Sequence, residues 1–200
     1  MTVPLSGLSY EREFFARGLV PAGIDEAGRG PIAGPVVAAA AILPEGFDLA
    51  GVNDSKKMSP AARERVFNVL KSAGVEYAVG VSEAREIDET DILRATIKAM
   101  ERAARGLKTA PGFLLIDGDK ETTLPVPQRA IIGGDGKCMS IAVASVVAKV
   151  TRDRMMEELH RRYPSYNFRR HKGYPTAEHR RLVERYGPCP EHRKSFRLTA

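Results

Sequence analysis

The chain has 200 residues, 43% apolar and 28% charged, with a net charge of +6, the balance of a soluble folded domain able to bury a sizeable core. Its longest apolar stretch, residues 36–43, is too short to cross a bilayer, and the N-terminal MTVPLSGLSY lacks the cationic and apolar regions of a secretory signal. Cys138 and Cys189 stand far apart and in no C-x-x-C pair; they read as reduced thiols of a cytoplasmic protein rather than as a disulfide framework or a zinc site.

Residues 19–25 and 35–43 are short apolar runs separated by the Gly-rich GIDEAGRGPIAGP, which predicts two strands joined by an irregular loop. Ser59 followed by Pro60 predicts the N-cap and first turn of a helix with Val66, Phe67, Leu70 and Ala73 on one face, ended by Gly74. Residues 75–81 predict a third strand, and the first three strands form an antiparallel meander. From about Asp88 a second helix carries Leu93, Ile97, Met100, Ala104 and Leu107 at four-three-four-three spacing until Pro111 and Gly112 break it. Residues 113–116 are wholly apolar and run into Asp117, the pattern of a buried parallel strand that opens into a functional loop. Residues 128–132 predict one more short strand. A long helix then runs from Cys138 to about Tyr163, apolar nearly all round as far as Val150 and so buried in its first half. A last helix spans roughly residues 176–186. This order predicts an α/β domain, a mixed sheet flanked by helices. It covers residues 1–200 as one unit, with a core over about 19–160 and a basic C-terminal extension over about 161–200.

The charge is unevenly placed. Residues 149–200 hold 14 Lys/Arg against 6 Asp/Glu, and the preceding 148 residues hold 17 against 19. All four histidines and six of the thirteen Phe/Tyr fall in that last quarter. Cations interleaved with flat rings are what a polyanion-binding surface needs, although a solvated basic surface has the same composition.

Four acids stand at the ends of predicted strands or just before the buried helix. Asp25 and Glu26 close the first strand, Asp117 closes FLLI, and Asp135 lies in GGDGK. Carboxylates gathered in one cleft repel one another unless cations neutralise them, and an all-oxygen donor set favours Mg²⁺ or Mn²⁺ over zinc. Asp117-Gly118 and Asp135-Gly136 also have the composition of turns, and either alone fits that role. Adjacent side chains of a strand point to opposite faces, so Asp25 and Glu26 reach one site only if the strand is already irregular at Glu26.

GIDEAGRGPIAGPVVAAAAIL, NDSKK, LLIDGD, GGDGKCMSIAVASVVAKVTRDRMM and HKGYPTAEH occur in this order. Together they closely resemble the type 2 ribonuclease H family (ribonuclease HII), over about residues 19–196. The resemblance implies a ribonuclease H-like mixed sheet, and an endoribonuclease acting on RNA–DNA hybrid and on duplex DNA containing ribonucleotides. It implies that Asp25, Glu26, Asp117 and Asp135 hold two Mg²⁺ or Mn²⁺ ions, with Asp25 bridging both, and that hydrolysis leaves 5′-phosphate and 3′-hydroxyl ends. In the family the backbone of Gly28-Arg29-Gly30 reads the 2′-hydroxyl, the group that separates RNA from DNA, and Tyr174 of HKGYPT reads the junction between ribose and deoxyribose. Other candidate substrate contacts are Lys56 in NDSKK, His171 and Lys172, and a polar seam on the long helix. There Ser145, Lys149 and Arg152 fall within about 60° on a helical wheel. No clamp-docking peptide is recognised after KSFRLTA, and a monomer is expected. A DNA-directed enzyme of the same superfamily would lack the sugar-reading loop, and a catalytically dead hybrid binder would lack one of the acids.

Overall fold

The computed structural model describes residues 9–47, 58–70 and 72–199. Five strands form one sheet in the order β3-β2-β1-β4-β5. Their ranges are β1 Pro21–Ala27, β2 Val36–Ile42, β3 Glu76–Ser82, β4 Phe113–Asp117 and β5 Gln128–Ile131. The first three strands make the expected antiparallel meander, with α2 standing between β2 and β3. β4 and β5 continue beside β1 in parallel, so the sheet is mixed. Helices α1 (Ser9–Phe15), α2 (Pro60–Leu70), α3 (Ala84–Glu89), α4 (Ile92–Arg105), α5 (Met139–Arg162), α6 (Phe168–His171) and α7 (Ala177–Tyr186) complete the fold. Among the described residues no helix is long and apolar enough to cross a membrane.

One face of the sheet is covered by α5. It is nearly encased, with Ile141, Val143, Val146, Val147 and Val150 all buried, so packing overrides the weak helix preference of its valines. The contact is close because Gly23 of β1 lies under the start of α5; a Cβ there would sit 2.2 Å from the Ser140 carbonyl carbon. Cys138, the N-cap of α5, makes no side-chain capping bond. The cap comes from α1, whose buried Glu11 accepts the Ser140 N–H at 2.7 Å, placing negative charge at a helix N-terminus. Neither α1 nor the short α6 is marked by the periodicity of the sequence.

The other face is covered by α4, and here the register read from spacing needs correction. The single helix expected from about Asp88 is two helices, because Asp91 caps α4 by accepting the Arg94 N–H at 2.8 Å. The buried side of α4 holds Ala95, Ala99 and Ala103, with Met100 and Ala104 at its edge, while Leu93 is exposed. Small residues win that face because the helix backbone approaches the sheet so closely: a Cβ on Gly80 of β3 would lie 2.0 Å from the Ala99 carbonyl oxygen. Leu93 has no room there.

Candidate active site

β1 and β4 run parallel with Pro21 beside Phe113 and Ile24 beside Ile116. One step further, the same register sets Asp25 beside Asp117, on strands about 4.8 Å apart and on the same sheet face. That face looks toward α5. Asp25 is 1% exposed. Its Oδ1 accepts the Glu26 N–H at 2.7 Å, whereas its buried Oδ2 has no hydrogen-bond partner. Burial first, then the charges of Glu26 and Asp117, hold the Asp25 carboxyl well above the usual carboxylate range, opposed by the Ser145 hydroxyl. A buried carboxylate oxygen with no donor is costly and calls for a cation or a proton.

Asp117 uses Oδ1 to accept the Gly134 N–H at 2.6 Å. That bond ties the strand end to the 3₁₀ turn Gly134–Gly136, which carries the buried Asp135. Glu26 faces Arg29 at 3.5 Å. The ladder with β2 continues regularly through Glu26 and Ala27, so the expected irregularity at Glu26 does not exist. The chain departs from the strand at Gly28, whose φ of 101° favours glycine. Asp25 and Glu26 nonetheless border one cleft, because it opens past the end of the sheet, where side chains from both faces reach it.

This cleft has a volume of about 220 Å³. Asp25, Glu26 and Asp117 form its floor, and Ser145, Lys149 and Arg152 of α5 line one wall. The opposite side is made by Gly28, Arg29, Gly30 and Tyr174. Tyr174 is 44% exposed, and its ring edge would lie 3.7 Å from a Cβ on Gly30. The Lys149 ammonium bonds Asp153 at 2.7 Å, and burial moves its pKa down. A larger hollow of about 370 Å³ lies between α3 and the end of α5, but the four acids are not on its walls.

A family model described as Ribonuclease HII matches residues 22–199. The chain belongs to the ribonuclease HII family. It is 52% identical over 190 residues to the Ribonuclease HII of Geobacillus kaustophilus, covering 94% of this chain and 73% of that one. Against the Ribonuclease HII of Acetivibrio thermocellus it is 50% identical over 188 residues, with the same coverage of 94% and 73%. The crystal structure of ribonuclease H2 from Pyrococcus horikoshii is similar with a TM-score of 0.73 and 28% identity, over 89% of this chain and 94% of that one. Family membership carries nuclease activity and accounts for the mixed sheet.

Among the described residues, no three His, Cys, Asp or Glu side chains are drawn together closely enough to hold a metal ion. The carboxylates instead turn to nearby donors, Asp117 to Gly134 and Glu26 toward Arg29. The donor set still fits a hard divalent cation. It is all oxygen, three of its four acids lie at the carboxyl ends of the parallel strands β1 and β4, and it includes the unpartnered Asp25 Oδ2.

Not every candidate in this ribonuclease HII chain reaches the cleft: Asp135, buried in the 3₁₀ turn tied to Asp117, is not among the residues that line it. Lys56 lies outside the described residues. Lys172 has its ammonium 3.9 Å from Glu157 and is not on the cleft wall. His171 does not face the cleft, because its ring is buried and stacked on His179 at 4.2 Å. Its Nε2 pairs with the Tyr166 carbonyl at 2.7 Å and its Nδ1 accepts the Gly173 N–H at 3.2 Å. The neighbours are equally occupied. His179 donates Nδ1–H to the Tyr174 carbonyl at 2.9 Å, and its Nε2 accepts from His192 at 3.1 Å. The Cys189 N–H fills the last ring nitrogen of His192. These bonds are mutually consistent only for three neutral imidazoles, so the histidines support the Tyr174 loop from beneath and take no part in the cleft.

Sequence reasoning misses Arg193 altogether. By charge count it is one more cation of the basic tail, yet it is 0% exposed. Arg152, placed on the polar seam of α5, is also 0% exposed and donates only to backbone carbonyls. For Arg152 a signal exists, a lone arginine following the apolar run SIAVASVVAKV, but Arg193 stands in the polar CPEHRKSF and carries none.

Proposed function

We propose that the chain is an endoribonuclease that hydrolyses the RNA strand of RNA–DNA hybrids and cuts duplex DNA at embedded ribonucleotides. Cleavage leaves 5′-phosphate and 3′-hydroxyl ends and depends on Mg²⁺ or Mn²⁺. The observation that carries this reading is the unpartnered buried oxygen of Asp25, set beside Asp117 and facing a glycine loop and an exposed tyrosine.

Asp25, Glu26, Asp117 and Asp135 would hold the cations. Cations bound there supply positive charge for the phosphate oxygens that gain charge as the bond breaks. Asp25 is the residue least able to stay charged without them, because it is buried among like charges. Ser145 and Lys149, one turn apart on α5, face the phosphate backbone from the wall of the cleft. The backbone of residues 28–30 lies against the sugar, with nothing but the Tyr174 ring edge near Gly30. Tyr174 offers a flat face and a hydroxyl at the same sugar. Among the described residues no imidazole lines the cleft to act as a general base, and His171, His179 and His192 are internally bonded.

The test is a cleavage panel with Mg²⁺ and Mn²⁺ in parallel: duplex DNA with one ribonucleotide, continuous RNA–DNA hybrid, and the same duplex made wholly of DNA. Cutting of the first two with 5′-phosphate products, and none of the third, is expected. Equal cutting of all three would overturn the reading.

A further inference from the structure

The loop that carries Gly28, Arg29 and Gly30 runs from the end of β1 at Ala27 to the start of β2 at Val36, and forms little regular structure of its own. Its shape is set from behind by two buried guanidinium groups. Arg193 donates Nη2–H to the Gly28 carbonyl at 2.6 Å, Nη1–H to Arg29 at 3.0 Å and Pro31 at 2.7 Å, and Nε–H to Gly34 at 3.0 Å. Arg152 takes the Pro35 carbonyl at 2.9 Å, Ala33 at 3.3 Å and Lys172 at 3.0 Å. The last of these links the loop to the segment bearing Tyr174. Gly28 itself is required by this arrangement, since a Cβ would sit 2.1 Å from Arg152 Nε.

The direction of these bonds has a consequence for the cleft. In a trans peptide the C=O and the following N–H point to opposite sides. With the Gly28 and Arg29 carbonyls turned inward to Arg193, the N–H groups of Arg29 and Gly30 are turned away from it, on the side where this loop lines the cleft. Two successive N–H donors aimed the same way make a concave site for an oxygen. We propose that Arg193 is a positioning residue for sugar discrimination: by holding four carbonyls inward it fixes the N–H face that the 28–30 loop presents to substrate. Arginine suits this because its planar fork presents five donors in fixed directions, whereas lysine has one ammonium on a flexible stem. Arg193 in turn is seated by its own segment. Asp88 of α3 accepts the Lys194 N–H and the Ser195 N–H, each at 2.9 Å, and Phe196 lies under the guanidinium at 5.2 Å.

This inference rests on the reading that the 28–30 loop senses the ribose. The experiment separates the two. For the wild type, Arg193→Lys and Arg193→Gln, KM and kcat are measured on duplex DNA with one ribonucleotide. The Ki of the identical all-DNA duplex as a competitor is measured alongside. Wild type with Ki no larger than KM would refute sugar sensing itself. Given a wild-type preference, both variants are expected to raise KM for the ribonucleotide duplex by between about threefold and tenfold, the scale of one missing hydrogen bond. Ki should stay within about twofold, and the Mn²⁺-induced rise in thermal midpoint should be kept. Lysine should not rescue. A folded Arg193→Lys protein with unchanged Ki/KM would overturn the proposal. If neither Arg193 variant folds, Asp88→Ala decides, because it loosens the seat from the surface without opening a buried hole: a fall in Ki/KM supports the proposal and an unchanged ratio overturns it.

Discussion

Two clusters of buried charge in this molecule are handled in opposite ways. At the carboxyl ends of β1 and β4, Asp25 and Asp117 crowd together and one Asp25 oxygen has no partner. Behind the 28–30 loop, Arg152 and Arg193 are just as deeply buried, yet each donor group meets a carbonyl. A satisfied buried charge fixes the shape of what surrounds it. An unsatisfied one crowded by like charges, as at Asp25, calls for a cation or a proton. The histidines beneath Tyr174 belong with the arginines, because their ring nitrogens are taken up inside the protein.

The contrast breaks most sharply at Asp25. Asp25→Asn removes the unpartnered charge and should lower turnover by at least roughly 10²–10³-fold, the scale of losing a preorganised charge-stabilising group. Its thermal midpoint without metal should stay level or rise, since a repelled carboxylate has gone. Turnover within about tenfold of wild type would return Asp25 to a structural role.

Tyr174 tests the cleft side of the contrast at smaller scale. Tyr174→Ala loses the ring face and should slow cleavage of a single embedded ribonucleotide by roughly tenfold to a hundredfold, from the usual worth of one stacked ring. Tyr174→Phe loses only a hydroxyl, a few-fold effect from about 0.5–1.5 kcal/mol. Both penalties should be smaller on continuous hybrid, where neighbouring 2′-hydroxyls offer other hydrogen bonds. Equal losses on the two substrates would make Tyr174 a general packing residue.

The histidine cluster should reveal itself in acid. Burial pushes His179 down to about 4 and also moves His171 and His192 below their ordinary value of 6.5. Between those limits the unfolded chain binds protons that the folded chain refuses. Their contribution to stability is therefore complete above pH 6.5 and is lost as pH falls toward about 4. Thermal midpoints taken from neutral pH into this window should fall, and the slope should be shallower in His179→Gln. Parallel slopes would show that the cluster does not govern acid stability.

The smallest effect concerns the exposed basic surface. Arg169 and Arg181 are exposed, and replacing both with Gln should flatten the dependence of log affinity on log salt by up to about 1.8, near 0.9 for each phosphate left without its cation. An unchanged slope would leave them as solvated decoration.

How much of this is legible in the sequence follows the same division. The strands and α5 announce themselves through apolar runs bounded by Gly and Pro, and the acids through their place at strand ends. The pairing of β1 with β2 needs only the Gly-rich loop between them, whereas α2 stands between β2 and β3. What stays hidden depends on approach distance. The buried side of α4 follows Ala95, Ala99 and Ala103 rather than the larger Leu93, because Gly80 brings sheet and helix backbones together. His171 and Arg193 look like tail cations because one-dimensional charge counts cannot tell a side chain that meets water from one that meets carbonyls. Glu11 gives no warning either, since its partner at Ser140 is 129 residues away.

In the proposed reading a divalent cation would sit at the unpartnered oxygen of Asp25, and calorimetry can ask this of the protein alone. Mn²⁺ is titrated into wild type and Asp25→Asn at neutral pH, without nucleic acid. Saturable binding to wild type that disappears in Asp25→Asn, with a Mn²⁺-dependent rise in thermal midpoint disappearing in parallel, is the predicted result. Equal Mn²⁺ affinity in the two proteins would contradict it.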